Sequence, residues 1–205
     1  MELMKNSMIA LAGLGSVLYP SATYATEQLP PNVTTKLYGG TSNKVIDTID
    51  YSFPSSRPVD FSRVKMCIVE NVTNNEVQLS DHAGSFVGYG GTYYRSHNSS
   101  TVQGGEVFKY VDDASKSLVA RGSISRRGGF GGLLGLSIRF DLKVSLTESQ
   151  VEMKMLHVER AMTSTGSSSN DGYGPILVSW TSSLYKKDIK ALDDSVAQLK
   201  ACFAT

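Results

Sequence analysis

One tryptophan, two cysteines, three histidines and a formal charge of only +1 exclude several functions before any motif is read. Near neutrality leaves no long-range field to gather nucleic acid, and the basic residues stand singly or in pairs such as Arg126-Arg127 and Lys186-Lys187. His82, His97 and His157 are scattered, with no HExxH pattern or close pair, so the spacing offers no dedicated metal site. The two cysteines are too far apart for CxxC redox chemistry. No segment approaches the roughly 20 apolar residues that a membrane-crossing helix needs.

What is present begins with the N-terminus. Lys5 precedes an apolar run from Met8 to Leu18, followed by Pro20 and the small-residue stretch Ser21-Ala22-Thr23-Tyr24-Ala25. That order is the grammar of a secretory signal peptide, with cleavage expected after Ala25, and it predicts a periplasmic or secreted protein whose residues 26–205 form one domain. Removal of residues 1–25 takes one acid, Glu2, and one base, Lys5, so the net charge is unchanged. An exported chain meets an oxidising compartment, and Cys67 and Cys202 are expected to form a disulfide. Closing so long a loop contributes at most about 5 kcal/mol in the chain-entropy picture.

The element pattern predicts an α+β fold. Residues 44–53 read as a strand, stopped by Pro54 and Pro58. Asp60 fits the cap of a helix bearing Phe61, Val64, Ile68 and Val72, although Met66, Ile68 and Val69 also permit a strand over 60–72. After a short strand at 76–79, residues 81–105 are rich in Gly, Ser and Tyr and suit strand pairs with generous turns or a long surface loop. A hairpin is expected from 106–111 and 117–125, turning at Asp112-Asp113. Leu136, Ile138, Phe140, Leu142, Val144 and Leu146 alternate strictly with polar residues, and Val151, Met153 and Met155 resume the pattern, predicting an antiparallel hairpin with one buried and one wet face. A polar connector spans 163–174, and 176–180 is a last short strand. From Ser182 or Ser183 an amphipathic helix carries Tyr185, Ile189, Leu192, Val196, Leu199 and Phe203 on the face that packs on the sheet, with Cys202 beside it.

The chemistry-bearing residues form no familiar constellation. Residues 125–137, SRRGGFGGLLGLS, hold no GxGxxG register and no Lys-Ser or Lys-Thr of a P-loop, so no nucleotide or other cofactor is expected. Asp81-His82 beside Ser85 offers the ingredients of nucleophilic catalysis, but Ser85 is off-centre in GSFVG for a GxSxG elbow. Asn32, Asn71 and Asn98 begin glycosylation sequons that matter only in a eukaryotic cell. The glycine-rich stretch is expected to be a hairpin tip from Arg126 to Gly135. There Phe130, Leu133 and Leu134 would present an apolar contact, with Arg126 and Arg127 at its base, to an envelope protein or a lipid surface.

The stretch FDLKVSLTESQVEMKMLHVERA, its Ser/Asn-rich linker and the closing helix SSLYKKDIKALDDSVAQLKACF resemble small exported bacterial proteins of unknown function with a TATA-box-binding-protein-like, helix-on-sheet domain. The resemblance spans residues 106–205 and implies an antiparallel sheet with a docked helix, but supplies no catalytic residue. Two classes of function follow. A non-enzymatic exported binding or envelope-accessory module, or a periplasmic inhibitor or immunity protein, needs no catalytic constellation. A hydrolase-like enzyme with an unfamiliar site would use Asp81, His82 or Tyr94.

Overall fold

The computed structural model describes residues 29–54, 59–128, 134–178 and 184–204. The expected leader 1–25, Pro58, Trp180 and the helix caps Ser182 and Ser183 lie outside the described residues, as do Phe130 and Leu133 of the expected tip.

The fold is α+β. A large antiparallel sheet is built from β1 (Val33–Leu37), β2 (Lys44–Pro54), β7 (Phe108–Asp112), β8 (Ser117–Gly128), β9 (Leu134–Leu146) and β10 (Gln150–Met162), in the order β1-β2-β10-β9-β8-β7. Short strands β11 (Gly174–Pro175) and β12 (Leu177–Val178) add to β10 and β2. Helices α1 (Phe61–Asn71) and α2 (Leu184–Ala204) share one core with this sheet.

The alternating residues of β9 place Leu136, Ile138, Phe140, Leu142, Val144 and Leu146 in buried positions, as their period of two requires. Val151, Met153 and Met155 of β10 and Ile49 of β2 continue that layer. From above, α2 contributes Tyr185, Ile189, Leu192, Val196, Leu199 and Phe203 at steps of four and three. Each such large side chain, taken out of water, stabilises the fold by roughly 1.5–3 kcal/mol. Residues 60–72 settle as helix: the Asp60 carboxylate accepts from Ser62 N at 3.1 Å, and Val64, Cys67 and Ile68 are buried on one side. Gly122 permits this docking, because a Cβ there would lie 2.6 Å from Phe140 and 2.8 Å from Val72.

Cys67 and Cys202 form the expected disulfide, with Cα atoms 5.8 Å apart, joining α1 to the last turn of α2. Arg63 of α1 donates to the Cys202 carbonyl at 3.3 Å beside it, supplying a cation to the carboxyl end of α2.

Three features depart from the sequence reading. β1, a strand that the sequence pattern did not name, pairs with β2. Pairing in the glycine-rich hairpin continues to Gly128 and Leu134, so Arg126, Arg127 and Leu134 belong to strands rather than to a tip running from Arg126 to Gly135. The face opposite the helices is not uniformly wet, because β3 (Val77–Asp81) and β6 (Asn98–Val102) pair and pack Val77, Leu79 and Val102 around Ala161 and Tyr173 in a second small core.

The reversal of sides that admits this second core is a β-bulge. In β10, Leu156 pairs with Asp141 and Glu159 with Arg139, so His157 and Val158 together oppose Phe140. Met155 and Val158 both reach the helix-side core, three positions apart, and Ala161 then faces the other way. His157 takes a left-handed φ of 49° to make the turn.

Candidate functional site

Two groups of residues stand out once the fold is in place. The first is a hairpin carried by β3 and β6. Its short strands β4 (Phe86–Val87) and β5 (Tyr93–Tyr94) pair only with each other, and Phe86, Val87, Tyr93 and Tyr94 are all more than half exposed. At the tip, Gly88 N donates to Thr92 O at 2.8 Å, and Gly90 and Gly91 supply the positive φ angles of 94° and 83° that close the turn under a fully exposed Tyr89. The Phe86 and Tyr94 rings stack with centroids 4.9 Å apart and planes 15° off parallel. Gly88 leaves room for the Tyr94 ring, since a Cβ there would lie 2.6 Å from it.

A polar hub holds the base of this hairpin. The Asp81 carboxylate accepts from Asn98 Nδ2 at 2.7 Å, Ala83 N at 2.9 Å and Asn170 N at 3.0 Å. The Asn98 bond first, then the two backbone donors, hold its carboxyl below the usual range. Asn170 also donates to the carbonyls of Ser80 and Met162, and His82 N donates to Gly166 O at 2.6 Å. The polar connector read over 163–174 therefore clamps β3 through Gly166 and Asn170.

His82 Nδ1 lies 2.7 Å from the Ser96 carbonyl and Nε2 lies 2.8 Å from Arg95 Nη2. A carbonyl only accepts and a guanidinium only donates, so these partners assign the proton to Nδ1. Ser85 Oγ donates to the backbone carbonyl of His82 at 2.7 Å, not to its ring. The ring nitrogens are thus engaged by Ser96 and Arg95, and the carboxylate of Asp81 by amides, so the geometry of a nucleophile, base and orienting acid is not assembled there. Tyr94 lies in the exposed ring pair.

The second group lies on the part of the sheet face that β3 and β6 leave uncovered. Asp141 of β9 is 5% exposed and accepts from Arg121 Nε at 2.9 Å and Nη2 at 3.3 Å, Lys109 Nζ at 3.1 Å and His157 Nδ1 at 3.0 Å. Burial alone pushes its carboxyl upward, but the hydrogen bonds from Arg121, Lys109 and His157 outweigh it and hold the group at about 2. Asp141 in turn raises the Arg121 guanidinium above its ordinary value. Arg139 pairs with Glu159 at 2.7 Å and lies over the Tyr173 ring.

The expected contact residues divide between the interior and the surface. Arg126 of β8 turns inward to Asp188 of α2, Arg127 is exposed, and Leu134 is half-buried at the start of β9. The sequence reading placed the contact on the glycine-rich tip and named only Tyr94 of the aromatic hairpin; it did not point to Asp141, whose place in a regular polar alternation hides its burial. No protein-family model, curated protein or solved structure matches this chain.

Proposed function

We propose that this chain is an exported, non-enzymatic binding module whose contact element is the aromatic hairpin Phe86–Tyr94. The observation that carries the reading is a cluster of five large side chains, Phe86, Val87, Tyr89, Tyr93 and Tyr94, exposed together on a hairpin whose base is fixed by the Asp81 and His82 hydrogen bonds. Contiguous exposed apolar surface costs solubility unless a partner covers it. Tyrosine offers large contact area with few rotatable bonds, and Ser, Gly and Asn add adaptable hydrogen bonding, the same composition that antibody loops use to bind proteins. Residues 81–105 have that composition.

The Cys67–Cys202 disulfide supports export, since such bonds persist in oxidising compartments, and no described helix is long and apolar enough to cross a membrane. The partner is an envelope or secreted protein. The glycine-rich tip with Arg127 and Leu134 offers a second contact. The experiment is site-specific photocrosslinking in the producing cell, with a photoreactive phenylalanine at Tyr89 and, as control, at exposed Lys187 on α2. A discrete adduct from Tyr89 alone, abolished by Phe86→Ser with Tyr94→Ser, supports the reading; equal or absent adducts at both positions refute it.

A further inference from the structure

We infer that the uncovered face of the sheet carries a phosphate-binding site formed by Lys109 and Lys143 beside Asp141, with the His157 ring at its edge. Two separate irregularities of the sheet converge on it. Lys109 is the extra residue of a bulge in β7, where Phe108 pairs with Ala120 and Tyr110 with Val119, and His157 lies in the bulge of β10. Both deliver their side chains to the same oxygen, Oδ2 of Asp141. Bulges re-aim side chains at the expense of ladder hydrogen bonds, and His157 adds a left-handed backbone to do so. Regular strands would have left neither residue on this carboxylate.

The local charges do not cancel. Arg121 lies directly opposite Asp141 and neutralises it through two bonds. Lys154 is paired with Asp50 at 2.9 Å, and Arg139 with Glu159. Lys109 remains as surplus charge on Asp141, and Lys143, with no ion pair among the described residues, lies directly opposite Lys154 across β9 and β10. Like charges so placed destabilise a sheet. Lys143 and Lys154 also line a groove of about 440 Å³ with Asp50, Ser145 and Glu152, the last one row farther from Asp141. With Nδ1 committed to Asp141, His157 presents Nε2 to solvent, its side chain 74% exposed. With Glu152 counted, this face keeps one net positive charge, and two ammonium groups flanking a buried carboxylate suit the oxygens of a phosphate monoester or diester, with the His157 ring at the edge of the site.

The test titrates isotopically labelled protein at constant ionic strength with inorganic phosphate and with glycerol 3-phosphate, following the His157 ring and the lysine side-chain resonances. In parallel, vesicles of phosphatidylglycerol in phosphatidylcholine are compared with phosphatidylcholine alone. Saturable shifts of His157 and Lys143 with either soluble probe, weakened at least tenfold by Lys143→Gln and by Lys109→Gln, are expected. Capture by the anionic vesicles, lost in Lys143→Gln, identifies a lipid headgroup as the source; saturation without capture identifies a free phosphate compound. His157→Asn, which tolerates the left-handed backbone, serves as a third variant should Lys109→Gln fail to fold. No saturable response to any probe, the same response to matched chloride, or unchanged affinity in the folded variants would overturn the site.

Discussion

Arg126 Nε of β8 donates to Asp188 Oδ1 of α2 at 2.7 Å, drawing the base of the glycine-rich hairpin onto the closing helix. Asp188 is fully buried, and its other oxygen accepts from Arg160 Nη1 of β10 at 2.7 Å. One carboxylate thus ties two strands to a helix. Arg126 also donates to the Leu184 carbonyl at 3.1 Å, so most of its capacity is used inside the molecule.

Removing that carboxylate is predicted to be severe. Asp188→Asn leaves two nearly buried guanidinium groups facing a neutral amide, and breaking a buried ionic group in this way costs about 3–5 kcal/mol. Urea unfolding followed by circular dichroism checks the size of the loss. Replacing Arg126, Asp188 and Arg160 together with Met, Leu and Met should restore much of it, because no uncompensated charge then remains.

The disulfide should matter on a similar scale. Cys67→Ser with Cys202→Ser releases a loop spanning 135 positions, and the expected loss is about 2–5 kcal/mol, seen as a lower urea midpoint. Thiol labelling of the denatured, unreduced parent should modify neither cysteine.

Asp141 makes the fold acid-sensitive in a defined window. Its folded carboxyl stands at about 2, against about 3.9 for an unperturbed aspartate. A depressed folded value contributes stability that is complete above the unfolded value and is lost as pH falls through the folded one, here between about pH 4 and 2. The contribution is on the order of 2 kcal/mol. Asp141→Asn should be less stable at pH 6 and should show a flatter loss of stability over that window. Parallel curves would show that the ion pairs around Asp141 do not favour its charged form.

Tyr51 acts at the opposite end of the scale. Its hydroxyl donates to Asp193 Oδ1 of α2 at 2.7 Å, and burial, followed by the hydrogen bond and charge of Asp193, pushes the phenol well above its ordinary value. A raised folded value means stability present below the unfolded value, near 10, and lost as pH rises beyond it toward the folded one. Alkaline titration followed at 295 nm should find one tyrosine that ionises only as the protein unfolds, and Tyr51→Phe should remove that step at a cost of about 1 kcal/mol at neutral pH.

The regular parts of this fold were legible because their periods are visible over many residues. Leu136 to Leu146 and Tyr185 to Phe203 each repeat long enough to name the element and its buried face. The cysteine pair was legible from compartment and parity. The irregular parts were not. A bulge at His157 carries no Gly or Asn to mark its left-handed φ, and Lys109 looks like any polar residue of an edge strand. The hub at Asp81 depends on Asn170, 89 positions away, and the cover over Ala161 depends on the legible strand β3 being joined by β6, whose polar residues carry no strand pattern. Such features arise from contacts distant in sequence, which local pattern does not encode.

The β10 bulge has one more effect, on the route of the chain. Because Met155 and Val158 both point toward the helices, the strand beyond them is rotated by half a turn relative to its first half. Arg160 thereby reaches Asp188 under α2 while Ala161 looks out toward Tyr173, and the backbone leaves at Met162 and Thr163 on the side where Asn170 can grip β3. Were His157 alone to oppose Phe140, every later residue would slip one place and these directions would exchange: the arginine would point to water, the alanine to the helices, and the clamp would depart from the wrong side. The orientation of the aromatic hairpin is in this sense set by one inserted residue in a strand with which the hairpin's own strands do not pair.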